Sequence, residues 1–129
     1  GYAPLGDLYK MEVYSLARLY NKRIGKNAVT DSTLTKPPSA ELAPDQKDED
    51  SLPPYPVLDE MLRLHIEEGL DATEITAKGH DGVVVREVLT RLSKNEHKRW
   101  QMAPAPRVSK RAFGQGWRQP LAARHDWRQ

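Results

Sequence analysis

The stretch from Lys36 to Leu52 limits the possible folds of this chain more than any other part of the sequence. It is too polar for a core, and its prolines remove backbone donors and fix φ, so neither a helix nor a strand is predicted there. Because periodic apolar patterns lie on both sides, residues 36–54 are predicted to form a long loop inside one folded unit. Long loops of this kind are usually functional or disordered, and a solvated surface linker is the alternative interpretation.

The composition indicates a fold that depends on further apolar surface. A chain of 129 residues allows one domain at most. Its hydrophobic content is 38% with tyrosine counted and glycine not. Counting glycine in place of tyrosine gives a hydrophobic content of about 40%, below the roughly 45–50% that is usual for globular domains. The apolar faces around Leu16, Leu62 and Leu89 are therefore expected to pack together and against elements outside this chain. Since the chain begins with Gly1 rather than Met, it is interpreted as a fragment.

Several classes of protein and site are excluded or disfavoured. The absence of cysteine excludes disulfides and thiolate metal sites and fits a reducing compartment. No apolar run approaches the roughly 18 residues of a membrane span, and no signal peptide is visible. The tail, from about residue 103 to 129, is basic with Phe113, Trp117 and Trp127 interleaved, a composition that could bind nucleic acid. No nucleic-acid fold signature accompanies it, so contact with acidic protein surface or phosphate ligands is favoured.

The remaining sequence predicts a mostly α-helical chain with long loops. Apolar residues recur at helical spacing, and capping residues mark where helices begin and end. No pattern predicts a parallel sheet. The first predicted helix runs from an N-cap at Asp7 to about Lys22, and a short helical turn follows within 28–35. The next helix runs from Pro56 to Gly69. Beyond it are predicted a short helix over 72–78, capped by Asp71, and a long helix capped by Asp81 that extends as far as Trp100.

Three segments resemble, in the same order, motifs of the NAD synthetases. They are GYAPLGDLYKMEVYSLARLYN at residues 1–21, KPPSAEL with the following DQKDEDSLPPYPVLDEML, and SKNEHKRWQMAP at residues 93–104. In that family the second segment is a mobile loop over the nucleotide site, and the third resembles the terminal (N/T)E(H/Y)KR motif. Together the three cover most of the chain.

The resemblance implies a fold and an activity. The fold is α/β: a Rossmann-like synthetase domain of the N-type ATP pyrophosphatases, with a central parallel sheet. Residues 1–129 would be its largely helical C-terminal part. The implied activity is that of a carbon–nitrogen ligase. ATP adenylylates the carboxylate of deamido-NAD with release of pyrophosphate, and ammonia then displaces AMP to give NAD.

The resemblance also points to four ligand-binding residues. By position in the motifs, Lys10 and Ser39 match residues that contact ATP, and Lys98 and His97 match residues that contact deamido-NAD. Each has a simpler interpretation: a solvated lysine, a hydroxyl that caps a turn, and helix-end cations favoured by the dipole. Family members vary at the His97 position. No catalytic residue and no metal ligand is expected here. Consecutive acids in a loop, such as those near residue 48, are usually solvated, and in the family the firmest magnesium ligands lie upstream.

The implied cofactors are ATP and Mg²⁺, and the implied substrates are deamido-NAD with ammonia or glutamine. The chain lacks the family's Ser-Gly-Gly-x-Asp-Ser pyrophosphate loop, so it is expected to be inactive alone. Its tail AFGQGWRQPLAARHDW resembles the glutamine-dependent members, which add an N-terminal glutaminase domain. We expect a cytoplasmic homo-oligomer that binds neither nucleic acid nor membrane. The alternative is a non-catalytic helical protein-interaction module with a basic binding tail.

Overall fold

The computed structural model of this chain describes residues 1–35, 52–112 and 116–119. Within those ranges the chain forms helices joined by loops and contains no strand, in agreement with the predicted helical character. None of these helices is both long enough and apolar enough to cross a membrane. The helices are α1 (Lys10–Ile24), α2 (Asp31–Thr35), α3 (Tyr55–Ile66), α4 (Ala72–Ala77), α5 (Gly82–Lys94) and α6 (Glu96–Trp100).

The hydrophobic core lies between α3, α4 and α5. Its fully buried members come from all three helices, and each contributes about 1.5–3 kcal/mol relative to exposure. Partly buried apolar side chains, among them Leu62 and Leu92, pack around this cluster. The buried cluster consists of Met61, Leu64, Ile75, Val85, Val88 and Leu89.

Hydrogen bonds between residues close in the sequence determine where α4 and α5 begin. The carboxylate of Asp71 accepts a 2.8 Å hydrogen bond from the Glu74 amide, and the Glu74 carboxylate accepts one of 2.9 Å from the Asp71 amide. Asp81 accepts from the amides of Val83 and Val84. These contacts satisfy amides that have no partner inside the helix, and they confirm both predicted caps. The long helix ends earlier than predicted, since Asn95 separates α5 from α6.

The prediction that Asp7 caps the first helix is wrong. The helix begins at Lys10, and Asp7 lies buried in the segment before it. The Asp7 carboxylate accepts hydrogen bonds of 2.7 and 2.8 Å from the amides of Val108 and Ser109, and the Ser109 hydroxyl donates to it as well. Nearby, the Ala3 amide donates to the Pro104 carbonyl at 2.9 Å. These bonds join the start of the chain to the segment that follows α6.

The apolar face of α1 does not join the core. Leu16 and Leu19 are 44% and 61% exposed, and no residue of the helix is buried. The expectation that Leu16 packs together with Leu62 and Leu89 is therefore wrong within this chain. A row of exposed apolar side chains remains, which is surface available to a partner.

Candidate ligand-binding site

Lys10 is the first residue of α1, and its side chain is exposed. Its ammonium lies 5.4 Å from the centre of the Tyr14 ring and 5.8 Å from that of Tyr55, distances at which an aromatic face attracts a cation. The two rings meet edge to face with centroids 6.5 Å apart. The rings therefore hold the cation at one place while leaving it open to solvent.

The backbone donors at the start of α1 are already occupied. The Met11 amide donates to the Asp59 carboxylate of α3 at 2.7 Å, and the Tyr9 amide donates to Glu12 at 2.9 Å. Burial raises the pKa of Asp59, although its bonds from the Met11 and Lys10 amides act in the opposite direction. An anion at this end of α1 would therefore be bound by the Lys10 side chain and not by the helix amides.

A cavity of about 260 Å³ lies beside Lys10, between the start of α1 and α3. Lys10 and Arg111 are the cations that line it, and Asp7 and Asp59 line it as acids. Tyr9 also lines the cavity; burial, followed by the nearby carboxylate of Glu67, raises its pKa, and its phenol is hydrogen-bonded to that carboxylate. The Lys10 and Arg111 side chains at this cavity are donors of the kind that phosphate oxygens accept.

The cavity also adjoins the downstream end of the predicted loop. Tyr55, which faces Lys10, is the first residue of α3, and Leu52 packs against the core. The structure thus brings Lys10 next to the residues at which the loop ends. Ser39 lies outside the described residues, as does the rest of the loop from residue 36 to 51.

Lys98 and His97 lie on α6, and both side chains are exposed. The Nδ1 atom of His97 lies 3.1 Å from the carbonyl of Lys94. Lys98 lies in the last turn, where the helix dipole favours a cation. Their placement leaves both available to a ligand, and the helix-end interpretation of Lys98 fits equally well.

The other two charged residues of the same motif are buried, which the sequence did not predict. Glu96 is 3% exposed and Arg99 is 5% exposed, and the two form an ion pair. The Arg99 guanidinium lies 4.1 Å from the centre of the Trp117 ring and donates to the Trp117 carbonyl at 3.2 Å. Burial, with a smaller effect of Arg118, lowers the pKa of Arg99 to about 10, so it stays charged at neutral pH. Their spacing of three residues indicates a helical pair, but no sequence signal indicates its burial.

His65 is a packed residue of α3. The residue is buried, with its Nδ1 atom 2.8 Å from the Leu70 carbonyl. Its ring meets that of Trp117 edge to face at 5.5 Å. Among residues 1–35, 52–112 and 116–119, no group of His, Asp or Glu side chains is placed to hold a metal ion.

Comparison with known proteins identifies relatives along nearly the whole chain. The family model described as NAD synthase matches residues 1–102. The chain is 49% identical over 124 residues to the glutamine-dependent NAD(+) synthetase of Thermotoga maritima, covering 96% of this chain and 22% of that protein. It is 44% identical over 128 residues to the enzyme of the same name from Acinetobacter baylyi, covering 99% and 23% respectively.

A solved structure is also similar. It is a glutamine-dependent NAD+ synthetase from Acinetobacter baumannii in complex with ADP. The match has a TM-score of 0.53 and 36% sequence identity, and it covers 89% of this chain and 19% of the other. The chain thus spans about a fifth of the length of the proteins it matches.

Proposed function

Because this chain belongs to the NAD synthase family, we propose that residues 1–129 form the C-terminal part of the synthetase domain of a glutamine-dependent NAD synthetase. The whole enzyme would be a ligase that uses ATP to adenylylate the nicotinate carboxylate of deamido-NAD, releasing pyrophosphate. Ammonia, supplied from glutamine by a separate glutaminase domain, would then displace AMP. The names of the relatives and the ADP bound to the solved one support this proposal.

The observation that carries the proposal furthest is the setting of Lys10. Its exposed ammonium is held over two aromatic rings, beside a cavity and next to the end of the predicted loop. A charge-assisted hydrogen bond from such an ammonium to a phosphate oxygen contributes about 1.5–3 kcal/mol. We assign Lys10 to the ATP phosphates, and we propose that the Ser39 hydroxyl reaches the same ligand from the loop.

The chemistry to be performed explains why cations lie at separate places. Two polyanions, ATP and deamido-NAD, must come together before the carboxylate can attack the α-phosphorus. Lys10 would neutralise charge on the first, while Lys98, with His97 beside it, would bind the second from α6. Closure of a loop over the site would exclude water, which could otherwise hydrolyse the adenylate.

Mg²⁺ would complete the charge balance in such an enzyme by neutralising ATP phosphates. The described residues do not fit it, because they contain no cluster of carboxylates that could hold a metal ion. We therefore propose that its ligands lie mostly in other parts of the enzyme. The exposed apolar side of α1 offers surface for contact with those parts or with a second subunit of a homo-oligomer. The alternative of a non-catalytic interaction module is not favoured, since the family match covers residues 1–102.

An assay of the full-length protein tests the proposal. With ATP, Mg²⁺, deamido-NAD and either ammonia or glutamine, the protein is expected to produce NAD, AMP and pyrophosphate. Lys10→Ala should raise the KM for ATP by roughly tenfold or more, since one charge-assisted bond is lost. Lys22→Ala, which removes an exposed cation from the other end of α1, is the control. If no NAD forms from either nitrogen source, the proposed activity is wrong.

A second test concerns the loop, for which we propose closure over bound nucleotide. In the full-length enzyme, trypsin is expected to cut near Lys47 when no ligand is present, because the surrounding prolines and acids offer little apolar anchorage. ATP together with deamido-NAD should protect that bond. Cleavage at Lys78, in the turn after α4, serves as an internal reference. Equal cleavage near Lys47 with and without ligands would argue against closure.

A further inference from the structure

Trp117 connects two helices that are far apart in the sequence. Its ring and that of the buried His65 of α3 meet edge to face, with centroids 5.5 Å apart and the ring planes at 80°. The Arg99 guanidinium of α6 lies 4.1 Å from the centre of the same ring. The Trp117 side chain is itself partly buried. The ring therefore lies between α3 and α6 and contacts both.

Two further bonds attach the same segment to α6. The Arg99 guanidinium donates to the Trp117 carbonyl at 3.2 Å, and the Gln119 amide donates to the Glu96 carboxylate at 3.1 Å. Glu96 and Arg99 are in addition paired with each other. We call these four residues, Glu96, Arg99, Trp117 and Gln119, the α6 clasp. Its two charged side chains, Glu96 and Arg99, are buried, so they are held in place by contacts within the clasp and not by solvent.

The clasp matters because α6 is short. A helix of five residues has almost no stability of its own, since isolated helices below about 12–15 residues are marginal in water. Its orientation must come from tertiary contacts. The clasp holds Glu96 and Arg99, which lie three residues apart on one face. Lys98 and His97 are exposed and lie on other faces of the same helix.

We propose that Trp117 is a positioning residue for Lys98: by stacking on Arg99 and wedging against His65, it fixes the angle at which α6 presents Lys98 to deamido-NAD. The proposal rests on the role given above to Lys98. Displacement of a binding group by about 1 Å can cost up to a hundredfold in rate, so the orientation of a five-residue helix is a sensitive point. A residue from the tail would thereby influence the affinity for a ligand that it does not touch.

A matched pair of variants in the full-length enzyme tests this proposal. Trp117→Leu keeps an apolar side chain but removes the aromatic face beneath Arg99. This variant is expected to raise the KM for deamido-NAD about tenfold, while the KM for ATP changes less than twofold. Trp117→Phe keeps a ring for both Arg99 and His65, and it should restore most of the affinity. Arg99→Lys tests the stack from its other side, because it keeps the charge beside Glu96 but loses the planar guanidinium.

Two controls separate positioning from general loss of stability and from the role of Lys98. Ile75→Ala opens a cavity in the core on α4 and should reduce the folded fraction with both KM values unchanged. The double variant Lys98→Ala/Trp117→Leu should bind deamido-NAD no more weakly than Lys98→Ala alone, since both changes act on one contact.

The possible outcomes are distinguishable. If Trp117→Leu and Arg99→Lys lower the melting temperature without changing the KM for deamido-NAD, Trp117 is only a structural anchor and the proposal is overturned. Additive effects in the double variant, or equal rises in both KM values, overturn it as well. If Lys98→Ala itself leaves the KM for deamido-NAD unchanged in an active enzyme, the role of Lys98 fails, and the positioning proposal fails with it.

Discussion

Lys98→Ala in the full-length enzyme is expected to raise the KM for deamido-NAD by about ten- to a hundredfold while the KM for ATP changes much less. The Lys98 ammonium is exposed at the C-terminal end of α6. There it can make a charge-assisted bond to a ligand phosphate or carboxylate worth about 1.5–3 kcal/mol, which corresponds to that range of affinity. Lys98→Arg should recover part of the loss, because the charge survives but the geometry does not.

The control for this prediction is Lys94→Ala, which removes an exposed lysine from the last turn of α5. Lys94→Ala removes the same charge from the preceding helix and should leave the KM for deamido-NAD and the KM for ATP unchanged. If Lys98 serves only as a helix-end cation, its replacement would cost about 0.3–1 kcal/mol of stability and leave the kinetics intact. Steady-state kinetics beside a thermal melt separates the two. A lower melting temperature with an unchanged KM for deamido-NAD would remove Lys98 from the site.

Arg99→Met is expected to lower the free energy of unfolding by about 3–5 kcal/mol. The change removes the cation from a pair whose members are 3% and 5% exposed, and it leaves the Glu96 carboxylate buried beside an apolar side chain. The stack on Trp117 is lost as well. Urea unfolding of the full-length protein, followed by a signal from the synthetase domain, measures the loss.

An exposed pair in the same molecule provides the comparison. Arg91 and Glu87 are joined at 2.9 Å along α5, but their side chains are 39% and 53% exposed. Arg91→Met should therefore cost less than about 0.5 kcal/mol. The double variant Glu96→Leu/Arg99→Met should regain part of the loss, because replacing both members of a buried pair by apolar residues is often neutral. A cost below about 1 kcal/mol for Arg99→Met would contradict the burial of this pair.

The parts of the fold that the sequence predicts correctly depend on neighbours close in the chain. Asp71 and Asp81 cap amides two or three residues away, so composition and spacing alone are sufficient to place them. Asp7 has the same local appearance, yet its carboxylate binds amides more than a hundred residues further on. Nothing near Asp7 in the sequence indicates that preference. The extension of α5 was overestimated for a related reason, because the break at Asn95 turns Glu96 and Arg99 toward Trp117 and Gln119.

In the candidate site, too, the local positions were predictable and the long-range contacts were not. The predicted helices placed Lys10 in a first turn and Lys98 near a helix end, and the structure agrees with both positions. The ligands assigned to these residues, and to Ser39 and His97, stay predictions. The motif could not show that its two other charged residues are buried, because their burial depends on a tryptophan that returns from the tail.

The bonds between Asp7 and Ser109 have a consequence for the order in which the chain folds. The three core helices lie between residues 55 and 94 and are joined by short turns, so they can form as soon as that stretch is complete. The Asp7 carboxylate of the segment ahead of α1, in contrast, accepts from amides more than a hundred residues further on. At about 5–20 residues per second, synthesis reaches its partner roughly 5–20 s after Asp7 is made. The residues ahead of α1 are therefore made before the core helices but become fixed in place after them.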